Sequence, residues 1–175
     1  MKDSALVDVS ESLRAVLFVG LTAEPALVTD SSAITFASPA DLPAGRPSRL
    51  SLYLYRVTEH ALSRARRTDV GSPLHEEGSP LELVLYYLLT PYAATPEEEM
   101  RLLARVLQTL YDHAVLSGAD LRGELAGSSA LQVRIRAPEM EEWIALWSAL
   151  RTPMRLAISC EVRVARIGGV PEHRR

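Results

Sequence analysis

The side chains that come closest to a catalytic or metal-binding pattern lie at the two ends of one predicted helix. Three consecutive glutamates, 97–99, follow Thr95 and Pro96, and Asp112 is followed by His113. Clustered carboxylates can hold a divalent cation, and an Asp–His pair occurs in many hydrolytic sites. However, Thr95 and Glu98 fit a capping box, with Pro96 at the first helical position and the acidic run at the positive end of the helix dipole. The sequence therefore predicts capping roles for the glutamates.

The Asp112–His113 pair is better explained as a helix terminus than as part of a catalytic site. Adjacent helical residues do not face each other, and a histidine interacts favourably with the carbonyl end of the dipole. The four histidines, at positions 60, 75, 113 and 173, show no metal-ligand spacing. The chain also contains no Gly-rich phosphate loop, no GxSxG elbow and no HExxH motif. We therefore expect no catalytic residues, no metal and no cofactor, and hence not an enzyme.

Composition narrows the class of protein further. The chain has 175 residues, 47% of them hydrophobic, and a formal charge of −3, which argues against a general nucleic-acid binder. Lys2 is the only lysine among the 19 basic residues, and arginine is the cation better suited to interfaces. Cys160 is the only cysteine, on the apolar side of a predicted strand, so an inert buried thiol in a reducing compartment is expected. The start is too acidic for a secretory signal, and no apolar run is long enough to span a membrane; we expect a cytoplasmic protein.

The first half of the chain predicts one helix and up to three strands. Apolar residues from Leu6 to Leu17 recur at helical spacing, which predicts an N-terminal helix within residues 1–20. Residues 33–37 are a possible strand, and residues 49–58 (RLSLYLYRVT) form a strand whose tyrosines should reach polar partners. Residues 81–89 are apolar on both faces, so we expect a central strand covered on both sides that ends at Pro91.

The segment between these two long strands predicts a surface feature. A helical turn is expected over residues 59–67, and residues 68–80 contain two glycines and two prolines with few apolar residues, which predicts a long mobile loop. The basic residues Arg64, Arg66 and Arg67 lie at its start. They form either a partner-binding cluster or a solvated loop.

The second half predicts two helices and two strands. The helix from Thr95 to His113 should bury Met100, Leu103, Leu107, Leu110 and Tyr111, with Arg101, Arg105 and Gln108 facing away. Residues 119–127 are a short strand or a loop, residues 131–137 a half-solvated strand, and Pro138 begins a helix with an apolar face of Met140, Trp143, Ile144, Trp147 and Leu150. Alternation from Met154 to Val164 predicts a last strand, followed by a frayed tail at 168–175.

These elements predict an α+β (mixed α/β) fold as one domain over residues 1–175. We expect a single mixed or antiparallel sheet of about four to five strands packed with about three helices. If the last two strands are neighbours, Glu161 can pair with Arg134 or Arg136. The outward residues of these strands are either a contact surface or a solvated sheet face; the candidates are Arg134, Arg136, Arg155, Glu161 and Arg163.

Five segments in order carry a family resemblance. They read RLSLYLYRVTEH, LELVLYYLLTPYA, EEEMRLLARVLQTLYDHAVL, MEEWIALWSAL and RLAISCEVRVARI. Together they resemble the cap, or tail-terminator, family of extracellular contractile injection systems, which are phage-tail-like particles of the virulence-cassette and antifeeding-prophage type. The resemblance covers roughly residues 3–167.

The resemblance implies a non-enzymatic assembly function. Such caps form a ring, typically a hexamer, on the baseplate-distal end of the inner tube, stop its polymerisation and contact the last layer of sheath. The implied partners are other copies of the chain, the tube protein and the sheath protein, with no nucleic acid and no membrane. Sheath contact could use strand addition at an exposed sheet edge, for which the long last strand is a candidate. The alternatives are a phage neck or connector ring protein, and a small-ligand-binding domain or enzyme.

Overall fold

The computed structural model describes residues 4–42, 49–60, 81–126 and 130–167, with residues 81 and 165–167 described only by their backbone. Within these ranges the chain forms three α-helices and six strands. In chain order they are α1 Ala5–Thr22, β1 Ile34–Thr35, β2 Arg49–Glu59, β3 Leu81–Tyr92, α2 Pro96–Asp112, β4 Val115–Leu116, β5 Ala130–Arg136, α3 Met140–Leu150 and β6 Ile158–Ile167. Arg64, Arg66, Arg67, the predicted loop at 68–80 and the tail at 168–175 lie outside the described residues.

The strands form one mixed sheet in the order β1-β2-β3-β6-β5-β4. Only β1 and β2 are parallel; the other neighbours are antiparallel. The predicted α+β class, single sheet and three helices are confirmed, but the described strands number six. The extra strand, β4, has two residues, too few to produce a periodic pattern. Residues 119–127, predicted as a strand or loop, instead contain parts of two 3₁₀ turns, Gly118–Asp120 and Gly123–Leu125.

Strand β3 is central, as predicted, but Pro91 does not end it. The strand continues to Tyr92, with Pro91 paired to Leu50 of β2. Proline lacks the backbone donor that a strand with two neighbours needs. It is tolerated here because the pairing with β6 stops at Leu89, opposite Ile158.

Helices α1 and α2 cover one face of the sheet and enclose the core. The inward residues of β3 on this face are Leu83, Leu85, Tyr87 and Leu89, all at most 6% exposed. The Tyr87 hydroxyl is satisfied by Ser10 of α1 at 2.9 Å, and Ser10 also donates to the Leu6 carbonyl. A phenol can therefore occupy the centre of this core without an unpaired polar atom.

Helix α2 is rotated relative to the orientation predicted from its sequence. The structure buries Leu102, Leu103, Val106, Thr109 and Leu110, whereas Met100 is 53% exposed and Tyr111 76% exposed. The prediction was right for Leu103 and Leu110 and wrong for Met100 and Tyr111, because this helix carries two apolar stripes and periodicity cannot say which one packs. We call the second, solvent-facing set the outer stripe; it consists of Met100, Ala104, Leu107 and Tyr111.

Contacts with α1 help to fix this rotation. Arg105, which was predicted to face away, donates from one Nη1 to the carbonyls of Gly20 and Ala23 at 3.2 and 3.1 Å, at the end of α1. The two helices approach so closely at Gly20 that a Cβ there would lie 2.1 Å from the Thr109 hydroxyl oxygen. The glycine is therefore required by the α1–α2 crossing.

Thr95 and His113 cap α2 as predicted, but Glu98 does not complete the capping box with the Thr95 amide. The Thr95 hydroxyl accepts from the Glu98 amide at 3.2 Å, and the Glu98 carboxylate accepts from the Ala94 amide at 3.1 Å. His113 is the last capping residue, and its amide donates to the Thr109 carbonyl at 3.0 Å.

Two other predictions about the second half were wrong. Helix α3 begins at Met140 rather than Pro138, and of its predicted apolar face only Trp147 is buried, with Met140 63% and Ile144 54% exposed. Strand β6 begins at Ile158 rather than Met154, because the residues before it have no partner in β3 or β5. A run of alternating residues can extend beyond the paired part of a strand, and only the register shows where pairing starts.

Candidate interaction surface

The face of the sheet opposite α1 and α2 is rich in arginine. Strand register aligns four residues in one row across the sheet: Arg56 of β2, Tyr86 of β3, Glu161 of β6 and Arg134 of β5. Neighbouring rows add Arg163 and Arg136, because side chains two residues apart share a face. We call this surface the arginine face; it consists of Arg56, Tyr86, Arg134, Arg136, Glu161 and Arg163.

Tyr86 lies at the centre of the arginine face between two guanidinium groups. The Arg56 and Arg136 guanidinium carbons lie 5.2 and 5.0 Å from the centroid of its ring. The Tyr55 ring lies 6.3 Å away, centroid to centroid. Such stacking on the negative face of an aromatic ring holds the two cations in place while leaving Arg56 exposed to solvent.

Arg136 is held by a network that also ties α3 to the sheet. It donates to both carboxylate oxygens of Glu142 in α3, at 3.1 and 3.3 Å, and to the Tyr55 hydroxyl at 3.3 Å. The Tyr55 and Ser159 hydroxyls lie 3.1 Å apart, which confirms that this tyrosine reaches a polar partner. The hydrogen bonds that Arg136 donates to Glu142 raise the pKa of Arg136, although burial opposes this shift.

A second group of contacting polar side chains lies at the other end of the arginine face. The Arg163 Nε lies 3.7 Å from a Glu161 oxygen, and an Arg163 nitrogen contacts His60 Nε2. The His60 Nδ1 lies 3.4 Å from the Glu82 carboxylate. Acidic and basic side chains therefore neighbour one another along this part of the surface and hold one another in position.

The structure brings together four of the five strand residues predicted as contacts. Arg134, Arg136, Glu161 and Arg163 share the arginine face, and Glu161 lies directly opposite Arg134 in the register. The predicted pairing of Glu161 with Arg136 does not form, because Arg136 lies opposite Ser159 and binds Glu142 instead.

Arg155 is not a member of this surface. It lies before β6, where it pairs with Glu99 of α2 at 2.5 Å and stacks over the Tyr92 ring at 4.7 Å. Arg155 thus fixes the loop before β6 to the first turn of α2.

Sequence reasoning missed Arg56, Tyr86 and Glu142. The register of β2 shifts at Tyr55, a β-bulge, so Arg56 faces the same side as Tyr53. Simple alternation would have placed Arg56 with Leu52 and Leu54 on the core side. No local signal in the strand marks this bulge.

The arginine face is suited to recognition rather than to bond chemistry. Arg56 and Arg134 are exposed, and a planar guanidinium can bind a carboxylate through two parallel hydrogen bonds. Within the described ranges no group of three or more potential metal ligands occurs. Burial raises the pKa of the Cys160 thiol to about 12, so this thiol is not a nucleophile. No helix in the described part of the chain is long and apolar enough to cross a membrane.

One open groove lies away from the arginine face, beside β1. It has a volume of about 510 Å³, and Asp30 and Arg49 are the charged residues among those lining it. The Asp30 carboxylate accepts from the Ser32 amide at 2.7 Å and caps the 3₁₀ turn Ser31–Ala33, so local structure accounts for this acidic group.

Comparisons with known proteins agree on one kind of relative. The sequence profile of the Pvc16 N-terminal domain family matches residues 8–175. The fold is similar to the sheath/tube terminator of the PVC extracellular contractile injection system in its extended state, with a TM-score of 0.59 and 18% identity over 98% of this chain and 60% of that one. It is also similar to the tube-terminating cap of the anti-feeding prophage, with a TM-score of 0.57 and 16% identity over 96% of this chain and 57% of that one. The chain thus spans less than two thirds of either protein. No curated protein matches it by sequence.

Proposed function

Because the chain belongs to the Pvc16 N-terminal domain family, we propose that it caps the baseplate-distal end of the inner tube and sheath of a contractile injection system. The observation that carries this proposal is the similarity of nearly the whole chain to a sheath/tube terminator. Both similar structures are terminators or caps, so the alternative of a neck connector gains no support from them. The chain acts by occupying the tube end, without catalysis.

The arginine face is our candidate for the contact with a carboxylate-bearing partner surface. Arg134 and Arg56 are exposed at the two ends of one row of the sheet, whereas Glu161 and Tyr86 hold the centre. A closed ring, expected to be a hexamer, requires two different self-surfaces on each copy. The arginine face either contacts a neighbouring copy in the ring or contacts the tube or sheath.

The proposal is tested by co-assembly with the cognate tube and sheath proteins. Adding the chain should stop tube elongation, so that tubes are shorter and end in a ring when imaged by electron microscopy. The variant Arg56→Glu with Arg134→Glu should bind tube ends at least about tenfold more weakly, because like charges then face the partner's carboxylates. Arg122→Glu is the matched control: this exposed arginine lies outside the arginine face.

Two results would reject parts of this proposal separately. Tubes of unchanged length, together with no binding of the chain to tube or sheath, would reject the capping function. Normal capping by the double variant would retain that function and reject the arginine face as its contact surface.

A further inference from the structure

The outer stripe of α2 is an apolar surface without a partner in the described chain. Its members are spaced four, three and four residues apart, which places them on one line along the helix. Tyr111 and Met100 are 76% and 53% exposed, Ala104 is exposed and Leu107 half-buried. Single exposed apolar residues are ordinary, but a continuous line of them on a helix is typical of an interface.

The stripe is complementary to a second copy of itself in the antiparallel orientation. When a second copy of α2 is placed antiparallel to the first, with the midpoint between residues 105 and 106 of both copies aligned, Met100 of one copy lies opposite Tyr111 of the other. Ala104 then lies opposite Leu107. Each large side chain then meets a smaller or more flexible one, and a methionine sulfur packs well beside an aromatic ring.

The charges beside the stripe match in the same orientation. Arg101 and Asp112 lie along the same flank of α2, both exposed, about 90–110° around the helix from the stripe. In an antiparallel pair this flank of one copy lies beside the same flank of the other. Arg101 of each copy then approaches Asp112 of the other, which gives two ion pairs.

We propose that two copies of this chain associate with two-fold symmetry through the outer stripe of α2. A two-fold contact uses the same surface on both copies and cannot by itself close a six-membered ring. The proposal therefore concerns the free chain in solution and does not rest on the proposed capping function.

The exposed apolar residues of helix α3 make a poorer occupant of this stripe. Helix α3 exposes Met140 and Ile144, with Glu141 near its start and Arg151 just after its end. Packed antiparallel on the outer stripe, α3 would bring Arg151 beside Arg101 and Glu141 beside Asp112. Both contacts join like charges, which disfavours this pairing relative to two copies of α2.

The size of the contact sets the expected strength. Stable protein interfaces bury about 1,200–2,000 Å² in total, and one pair of helices of this length, 17 residues each, buries less. We therefore expect a reversible dimer that is populated at roughly 10–100 μM and dissociates on dilution.

Sedimentation velocity over a concentration series of the full chain tests the contact. Tyr111→Glu should raise the dissociation constant at least about tenfold, because a charge would be buried against Met100 of the other copy. Val19→Glu is the matched control, since Val19 is 68% exposed on α1 and lies off the stripe. A wild-type chain that stays monomeric at 100 μM would overturn the proposal, as would a dimer that survives Tyr111→Glu.

A charge exchange tests the orientation. Arg101→Asp alone and Asp112→Arg alone should each weaken the dimer about fivefold or more, and the double variant should recover the wild-type affinity. The two positions are about 16 Å apart along one helix, so the recovery cannot come from pairing within one copy. Absence of recovery would overturn the antiparallel arrangement. A different outcome would reassign the stripe. If the wild-type chain is monomeric and Tyr111→Glu abolishes its binding to tube or sheath, the stripe binds that partner and self-association is rejected.

Discussion

The two faces of the same sheet are built from alternating residues of the same strands, yet they hold their side chains in different ways. On the core face, Leu83, Leu85 and Leu89 are nearly inaccessible, and the one phenol, Tyr87, has a buried hydroxyl partner. On the arginine face, charged groups keep part of their surface in water and are held by stacking and ion pairs.

This difference implies that the two faces contribute unequally to stability. Removing apolar surface from water contributes roughly 25 cal/mol per Å², whereas a half-exposed ion pair contributes at most about 1 kcal/mol. The core face should therefore account for most of the folding free energy. The arginine face should contribute less, which is compatible with the contact role that we propose for it.

The largest expected effect is the loss of core-face stability at alkaline pH. Burial raises the pKa of the Cys160 thiol from 9.0 to about 12 and also raises the pKa of Tyr87. In both cases folding favours the neutral form, so the stabilisation is present below the unfolded-state pKa and is lost as pH rises through the folded-state pKa. The free energy of unfolding should fall between about pH 9 and 12, measured by urea titration.

Cys160→Ala provides the control for that titration. The variant should be less stable at pH 8 because of its smaller side chain, but it should lose less stability between pH 8 and pH 11. Equal losses in wild type and variant would show that this thiol does not contribute to the alkaline transition.

A pair of alanine substitutions compares the two faces directly. Leu85→Ala, at a residue with no exposed surface, should reduce the free energy of unfolding by about 3 kcal/mol, because it leaves a cavity beneath the helices. Arg134→Ala should change it by less than about 0.5 kcal/mol, because this side chain is exposed. Chemical denaturation measures both. Similar losses at the two positions would contradict the proposed division of roles.

The smallest expected effect concerns the Arg136–Glu142 ion pair. Its side chains are 26% and 39% exposed, so a double-mutant cycle of Arg136→Ala and Glu142→Ala should give a coupling of about 0.5 kcal/mol. The coupling should weaken at high salt because solvent ions screen a partly exposed pair. A coupling above about 2 kcal/mol would mean that this pair stabilises the fold and is not merely part of a recognition surface.

The sequence predicted features that depend on neighbouring residues along the chain. The N-cap at Thr95, the end of α2 at His113 and the amphipathic α1 are all confirmed, because each depends on contacts within a few residues. The fold class and the family resemblance, carried by five ordered segments, are also confirmed. The oligomeric state and the contact residues remain predictions.

Features that depend on distant partners could not be predicted locally. Pro91 remains in β3 because β6 stops short of it, and Met154 lies outside β6 because no strand pairs with it. Strand addition at the last strand was also a wrong prediction, since β6 lies between β3 and β5 and has no free edge along their shared register.

The sequence by itself determined that α2 is a helix, where it starts and where it ends. It also contained two apolar stripes on that helix, and local pattern gave no reason to prefer one of them. Only the tertiary structure decided between them. In the observed rotation Thr109 packs against Gly20, and Arg105 donates to the carbonyls at the end of α1. That same rotation buries Leu102, Val106 and Leu110 and leaves Met100 and Tyr111 in water.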